Sequence, residues 1–222
     1  MDAHVVVDDN NEELDTLCAL CDNGGELLCC EGRCGRYFHA TAEHGFDSQC
    51  SSLGFSMTQV EAMTTFECLN CVHKKHQCFA CQKLGSSDES SAAEVFQCST
   101  PTCSYFYHPE CVAKLLHPMD KAEANVAEKK ISAGESFTCP AHECYVCKQG
   151  ENENDPELKF AVCRLCPKSY HRKCMPRQII FSDTKNGAGE EDILTRAWPN
   201  LLPHNRVLIY CSRHKIKGTA FE

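Results

Sequence analysis

Apolar residues fall in short runs along this chain, and none approaches the roughly 20 residues needed to span a bilayer. After the turn signal Asn23-Gly24-Gly25, the segment Glu26-Leu27-Leu28-Cys29-Cys30 reads as a short strand. Val207-Leu208-Ile209-Tyr210 reads as another. Ser56-Met57-Thr58-Gln59 fits a capping box and predicts a short helix near 57–63. Asp120-Lys121-Ala122-Glu123 resembles a second capping box, with Asp120 at the N-cap. It opens a charged helix over about 121–132, with Gly134 just past its end. Polarity on most faces makes that helix a solvated connection rather than a binding element. Asn152–Pro156 and Lys185–Glu191 are loop-like, the second through Asn186-Gly187 and Gly189. Residues 1–13 are acidic and aperiodic, which predicts a flexible segment.

Cysteine organises these sparse elements. Twenty cysteines in 222 residues approach the level of a cysteine-built scaffold. Such a scaffold is held by disulfides in a secreted protein or by zinc in a reducing compartment. The opening MDAHVVVDDNNEELD lacks the basic and apolar regions of a signal peptide. Histidines also join the cysteine pairs at fixed spacing, and a disulfide framework has no use for histidine. The reading is therefore metal.

The central stretch runs C-x2-C (Cys78, Cys81), C-x4-C (Cys98, Cys103), H-x2-C (His108, Cys111) and C-x2-H (Cys139, His142). Each pair turns two side chains toward one ion, and tetrahedral zinc takes four such ligands. Eight ligands thus make two closed sites. The pattern recurs downstream as Cys144, Cys147, Cys163, Cys166, His171, Cys174, Cys211 and His214. Upstream it reads Cys18, Cys21, the adjacent Cys29 and Cys30, then Cys34, His39, Cys50, Cys68 and Cys71. The chain is an array of three modules, at 14–73, 74–142 and 143–217. Only Val72 to Gln77 separate the first two and only Glu143 the last two, so the modules should pack together as one body.

The formal net charge is −9 with neutral cysteines, and thiolate ligands around zinc make the chain more acidic still. Nucleic-acid affinity rests on Lys and Arg releasing counterions, so direct nucleic-acid binding is not expected. The natural charged partner is basic, such as a histone tail. No membrane partner is expected.

The order of ligands narrows the class. Histidine is fifth in every module, preceded by an aromatic residue (Phe38, Tyr107, Tyr170), and a large apolar side chain stands two residues before the seventh ligand (Phe66, Phe137, Ile209). Sequential pairing of a LIM type or the ligand order of a RING would look different. These features resemble the plant homeodomain (PHD) finger, over 18–214. The resemblance implies a small, zinc-stabilised, loop-rich α+β fold: three tandem cross-brace fingers with short two-stranded sheets and short helices.

It also implies interleaved ligands. Finger one would use Cys18, Cys21, His39 and Cys50 for one ion, and Cys30, Cys34, Cys68 and Cys71 for the other. Finger two would use Cys78, Cys81, His108 and Cys111, then Cys98, Cys103, Cys139 and His142. Finger three would use Cys144, Cys147, His171 and Cys174, then Cys163, Cys166, Cys211 and His214. The total is six structural Zn²⁺. Finger one departs from H-x2-C, with Ala42 at the expected place; Cys50 is the next cysteine and His44 the weaker candidate. The choice between Cys29 and Cys30 is open as well. Similar sequences with G-G-E-L-x-C-C favour Cys30, leaving Cys29 as a buried thiol.

Fingers two and three, ending C-x2-H, resemble the C-terminal PHD pair of nuclear-receptor-binding SET-domain methyltransferases. The triplet as a whole, with G-G-E-L-L-C-C-E-G and Y-H-P-E-C-V-A-K-L-L-H-P, resembles the plant Enhanced Downy Mildew family. Those are nuclear chromatin regulators, which implies a nuclear location and a longer protein around this array.

Closed four-ligand sites leave no position for a substrate water, so no enzymatic role is expected. The histidines outside them (His4, His44, His73, His76, His117, His204) take surface or capping roles by default. The family resemblance implies a reader of the histone H3 N-terminal tail, added as a strand along Glu26–Cys30, including Leu27 and Leu28. Glu13 and Asp15 resemble the acidic pair that favours unmodified lysine. Glu31, with Asp22 or Glu26, would pair the tail arginine. Against this reading, Met63-Thr64-Thr65 lacks the Pro and Gly that commonly shape the amine-binding turn. The place of a methyl-lysine cage tryptophan is held by Tyr37, Phe106 and Ser169 in the three fingers. Trp198 belongs either to the core of the 179–206 insertion or to a composite groove. Other chromatin proteins are further candidate partners. The alternatives are a rigid protein–protein scaffold without histone binding and, disfavoured by ligand order, a RING-like ubiquitin ligase.

Overall fold

In each finger the chain between the third ligand and the histidine doubles back as a short antiparallel ribbon. The computed structural model describes residues 17–101, 103–181, 195–199, 202 and 205–215. In finger one β1 (Leu28–Cys29) pairs with β2 (Tyr37–Phe38), shorter than the strand expected over 26–30. The helix α1 (Met57–Glu61) carries the expected capping box: Ser56 Oγ accepts the Gln59 N–H, and Gln59 Oε1 accepts the Ser56 N–H.

The joint between fingers one and two is structured. Short helix α2 (Leu69–Val72) leads into β3 (Lys75–Gln77), which pairs with β4 (Leu84–Ser86) across the Cys78 and Cys81 knuckle. Residues that read as a connection are thus a strand of the second finger. Its central ribbon is β5 (Phe96–Gln97) with β6 (Phe106–Tyr107). Directly after His108, Pro109 opens α3 (Pro109–Leu116), since proline at the first helical position gives up only an N–H that has no helical partner.

Helix α4 (Lys121–Ser132) has the expected bounds, with Asp120 accepting from the Ala122 and Glu123 N–H groups. Glu123 reaches instead to His117 Nδ1 at 3.1 Å, and Gly134 sits past the end at φ +90°. The helix is not solvated all round. Ala124 and Ile131 are buried, Ile131 in one cluster with Val112 of α3.

Finger three is larger. Its ribbon, β7 (Phe160–Cys163) with β8 (Ser169–His171), extends into a four-stranded sheet through β9 (Ala197–Trp198) and β10 (Val207–Ile209), ordered β8-β7-β10-β9. Strand β10 runs parallel to β7 and antiparallel to β9. Trp198 is core: buried, with its ring edge-on to Tyr210 at 5.6 Å. The expected loop Lys185–Glu191 lies outside the described residues.

Each finger has its own small core, and zinc-type cysteines line every one. The aromatic residue before each histidine packs on the apolar residue before the seventh ligand. Phe38 meets Phe66 edge-on at 6.0 Å, Tyr107 meets Phe137 at 5.9 Å, and Tyr170 shares a cluster with Ile209. The fingers also touch one another. Asp22 is gripped by Arg164 Nε (2.7 Å) and Tyr210 OH (2.9 Å), Gln82 Nε2 donates to Leu165 O (3.3 Å), and Ser169 Oγ donates to Ala141 O (2.6 Å). Among the described residues no helix is long and apolar enough to cross a membrane.

Candidate metal centres and strand edges

The knuckles place the ligands. After each C-x2-C pair a residue with positive φ (Asp22, Gln82, Lys148) turns the chain back, and the fifth ligand arrives at the end of a ribbon strand. Backbone donors then tie the two together. The N–H groups of His39, His108 and His171 each reach the first-ligand sulfur (Cys18, Cys78, Cys144) at 3.4 Å. The second cross-tie repeats as faithfully: the N–H groups of Cys68, Cys139 and Cys211 reach Cys30, Cys98 and Cys163 at 3.2, 3.2 and 3.5 Å. These ties join first to third pair and second to fourth.

Five groups bring their donor atoms within 4.8 Å of one another: Cys18, Cys21, His39, Cys50; Cys30, Cys34, Cys68, Cys71; Cys78, Cys81, His108, Cys111; Cys98, Cys103, Cys139, His142; and Cys144, Cys147, His171, Cys174. Cys163, Cys166 and His214 gather around Cys211, with the Cys166 and Cys211 sulfurs 3.6 Å apart. Sulfur–sulfur separations elsewhere are 3.8 Å (Cys18–Cys50), 3.7 Å (Cys30–Cys71), 3.5 Å (Cys34–Cys68) and 3.9 Å (Cys103–Cys139). A disulfide needs about 2.05 Å. A tetrahedron with zinc–sulfur bonds of about 2.3 Å has edges of roughly 3.8 Å, which is the spacing found.

The nitrogens fit as well. His142 Nε2 and His214 Nε2 are buried without any hydrogen-bond partner, which is costly unless an ion takes the lone pair. In the first site of each finger the other ring nitrogen points inward. His39, His108 and His171 present Nδ1 to Cys21, Cys81 and Cys147 at 3.4, 3.4 and 3.2 Å. On the far side, His39 Nε2 meets Gly24 O at 3.0 Å and His171 Nε2 meets Gly150 O at 2.9 Å, the outer-shell contact that sets a metal-bound ring's tautomer. Thiol energetics agree. Cys68 falls to about 5 because Cys34 hydrogen-bonds to it; the same bond raises Cys34, and burial pushes Cys71 to about 11. The chain binds structural zinc through these clusters.

Position in the fold bears on the open choices in finger one. Cys50 joins Cys18, Cys21 and His39, while His44 Nε2 lies 3.0 Å from a Glu26 carboxylate oxygen. Cys30 joins its tetrad and Cys29 stands apart on β1. Cys29 is half-buried rather than the buried thiol expected. His76 is a larger correction. In place of a surface role it is buried, stacked on Phe106 at 3.9 Å, with its pKa held at about 4 chiefly by burial. Single-sequence reasoning had no signal for it, because its partners come from two fingers.

The three ribbons offer equivalent outer edges, and they differ. In register terms Leu27, Val95 and Phe160 turn their N–H groups away from the ribbon partner. In finger three Phe160 N donates to Glu151 Oε1 at 2.8 Å, and β10 covers the rest of β7. In finger two Val95 N donates to Ser86 O at 2.9 Å. In finger one the Leu27 N–H has no partner among the described residues, while the far edge of β2 is closed by the Ala19 N–H on Tyr37 O at 2.7 Å.

The side chains suggested for a tail are placed unequally around that edge. Glu26 and Glu31 are exposed, Glu31 with Oε1 on the Phe66 N–H at 3.2 Å. Leu27, Leu28 and Tyr37 are half-exposed. Asp22 is already engaged by Arg164 and Tyr210, so it is not free for an arginine. Glu13 and Asp15 lie outside the described residues. Phe106 is buried under His76 and Ser169 is fully buried, so neither is a cage wall.

Comparison with known proteins agrees with this architecture. A family described as histone-lysine N-methyltransferase NSD-like, PHD zinc finger matches residues 74–142. Protein ENHANCED DOWNY MILDEW 2 of Arabidopsis thaliana is 59% identical over 210 residues, covering 94% of this chain and 16% of that protein. Histone-lysine N-methyltransferase NSD3 of Mus musculus is 30% identical over 159 residues, covering 71% of this chain and 9% of that protein. The chain thus spans a small part of the relatives it matches. It is a loop-rich array of PHD-type zinc fingers, and it resembles the Enhanced Downy Mildew family along nearly its whole length.

Proposed function

We propose that this chain is a non-catalytic, chromatin-associated reader in the nucleus that takes the N-terminal tail of histone H3 as a third strand on finger one. The observation that carries the reading is the edge of β1, whose Leu27 N–H is unpartnered among the described residues while the matching groups of fingers two and three are taken. Strand addition needs such an edge, with backbone bonds supplying affinity and side chains supplying selectivity. Exposed Glu26 and Glu31 flank it, and the formal net charge of −9 favours a basic ligand. Glu13 and Asp15 enter through the family resemblance alone, as the readers of an unmodified lysine. The described relative NSD3 is by name a histone-lysine methyltransferase, which puts a histone-directed module in a consistent setting.

Titration of the intact array with an H3 tail peptide tests this. Amide shifts should concentrate on residues 26–31 and on Phe66, and acetylating the peptide's amino terminus should weaken binding. An array that ignores the tail would leave the second reading, a rigid protein–protein platform. That reading is favoured by the contacts among fingers, above all those of Asp22 with Arg164 and Tyr210.

A further inference from the structure

One of the metal clusters differs from the rest in charge. Cys30, Cys34, Cys68 and Cys71 form an all-cysteine group, whereas each of the other four groups named with it includes one histidine, and His214 serves with Cys163, Cys166 and Cys211. Four thiolates around a divalent cation leave a double negative charge; three with a neutral imidazole leave a single one. A part-buried double charge needs extra hydrogen-bond donors.

Such a donor arrives across the finger boundary. His76 on β3 is 3% exposed, and its ring lies flat on Phe106 of finger two at 3.9 Å and 7°. Its Nε2 is 3.4 Å from Cys71 Sγ, and its Nδ1 is 2.7 Å from Ser87 Oγ. A thiolate only accepts, whereas a serine hydroxyl can donate. The proton must therefore sit on Nε2, facing sulfur, while Ser87 donates to the bare Nδ1. Gly32 packs against the same sulfur, where a Cβ would stand 2.7 Å from Cys71 Sγ.

We propose that His76 is a positioning residue for the metal of finger one, donating Nε2–H to the Cys71 thiolate from a ring held by Phe106 and Ser87 of finger two. The second centre of finger one is then completed by its neighbour. Its metal retention depends on the fold of finger two, and the two fingers form one metal-binding unit. The imidazole serves this site from outside the coordination sphere, where the other sites use one within it.

Three measurements on the intact chain test this. Long-range ¹H–¹⁵N correlation of the unmodified, zinc-loaded protein should show His76 as the Nε2–H tautomer. Finding the proton on Nδ1 overturns the proposal without recourse to any variant. His76→Phe keeps a ring against Phe106 and removes the donor. In the ¹¹³Cd-substituted protein its all-cysteine resonance should move while the others stay. Release of one zinc to a chelator should also become about tenfold faster, the lower end of typical outer-shell effects. An unmoved cadmium resonance with unchanged release overturns the proposal, as does an equal shift of every resonance, which would mark a general packing effect.

Discussion

Arg164 of the third finger donates Nε–H to Oδ1 of Asp22 in the first at 2.7 Å, although 142 positions separate them. Asp22 occupies the positive-φ position of its zinc knuckle, so the carboxylate is fixed by the metal site beneath it. Tyr210 OH binds the second carboxylate oxygen at 2.9 Å. The two side chains of the ion pair are 14% and 28% exposed, enough shielding for it to exceed an ordinary surface pair.

Asp22→Ala should therefore loosen finger one from finger three without loss of zinc. A charge-assisted hydrogen bond of this kind is worth about 1.5–3 kcal/mol, discounted here for partial exposure. Heteronuclear relaxation of the parent chain should give similar tumbling times in all three fingers, and in the variant finger three should move more freely against the unit formed by fingers one and two. Independent motion already present in the parent would contradict a single rigid body.

Elemental analysis of protein purified without chelator should give close to six zinc ions per chain. Cys50→Ala should remove one of them and destabilise finger one, since Cys50 joins Cys18, Cys21 and His39. Cys29→Ala and His44→Ala should leave the count unchanged, because neither side chain enters a cluster. Equal zinc loss from Cys29→Ala and Cys50→Ala would refute this ligand set.

Removing the metal should unfold the array rather than merely empty it, because cysteine ligands form much of each core. Trp198 offers a local signal, being buried against Tyr210 in the sheet that ends at Cys211. Its near-ultraviolet dichroism should disappear as chelator takes the zinc. A signal that survives complete removal would mean that the β10 sheet holds itself together.

Leu27→Pro removes the outward N–H at the free edge and should abolish H3-tail binding with the zinc count intact. Glu31→Lys should weaken binding by about 1.5–3 kcal/mol, roughly tenfold or more, through loss of a charged acceptor. Tail binding that survives Leu27→Pro would move the reader role away from β1.

Ligand spacing is a local property, and it was legible in the sequence. A C-x2-C knuckle aims two donors whatever surrounds it, so the ligand pairs, the strand near 26–30 and the capped helices α1 and α4 could be read residue by residue, while the interleaving of the pairs came from the family resemblance. The apolar run ending at Tyr210 announced β10 for the same reason. Which edge that strand would cover was not legible, because parallel pairing with β7 joins segments more than forty residues apart with no periodicity to link them. Cys50 and Cys30 come beside the other members of their clusters only through the fold. His76 and Asp22 show the limit most plainly. His76 looked like a surface histidine and Asp22 like a partner for the tail arginine, and each has a role set by groups from another finger. Such contacts exist only when the three small cores are packed side by side. A linear pattern can determine what each finger binds, and only the tertiary structure decides what the fingers do to one another.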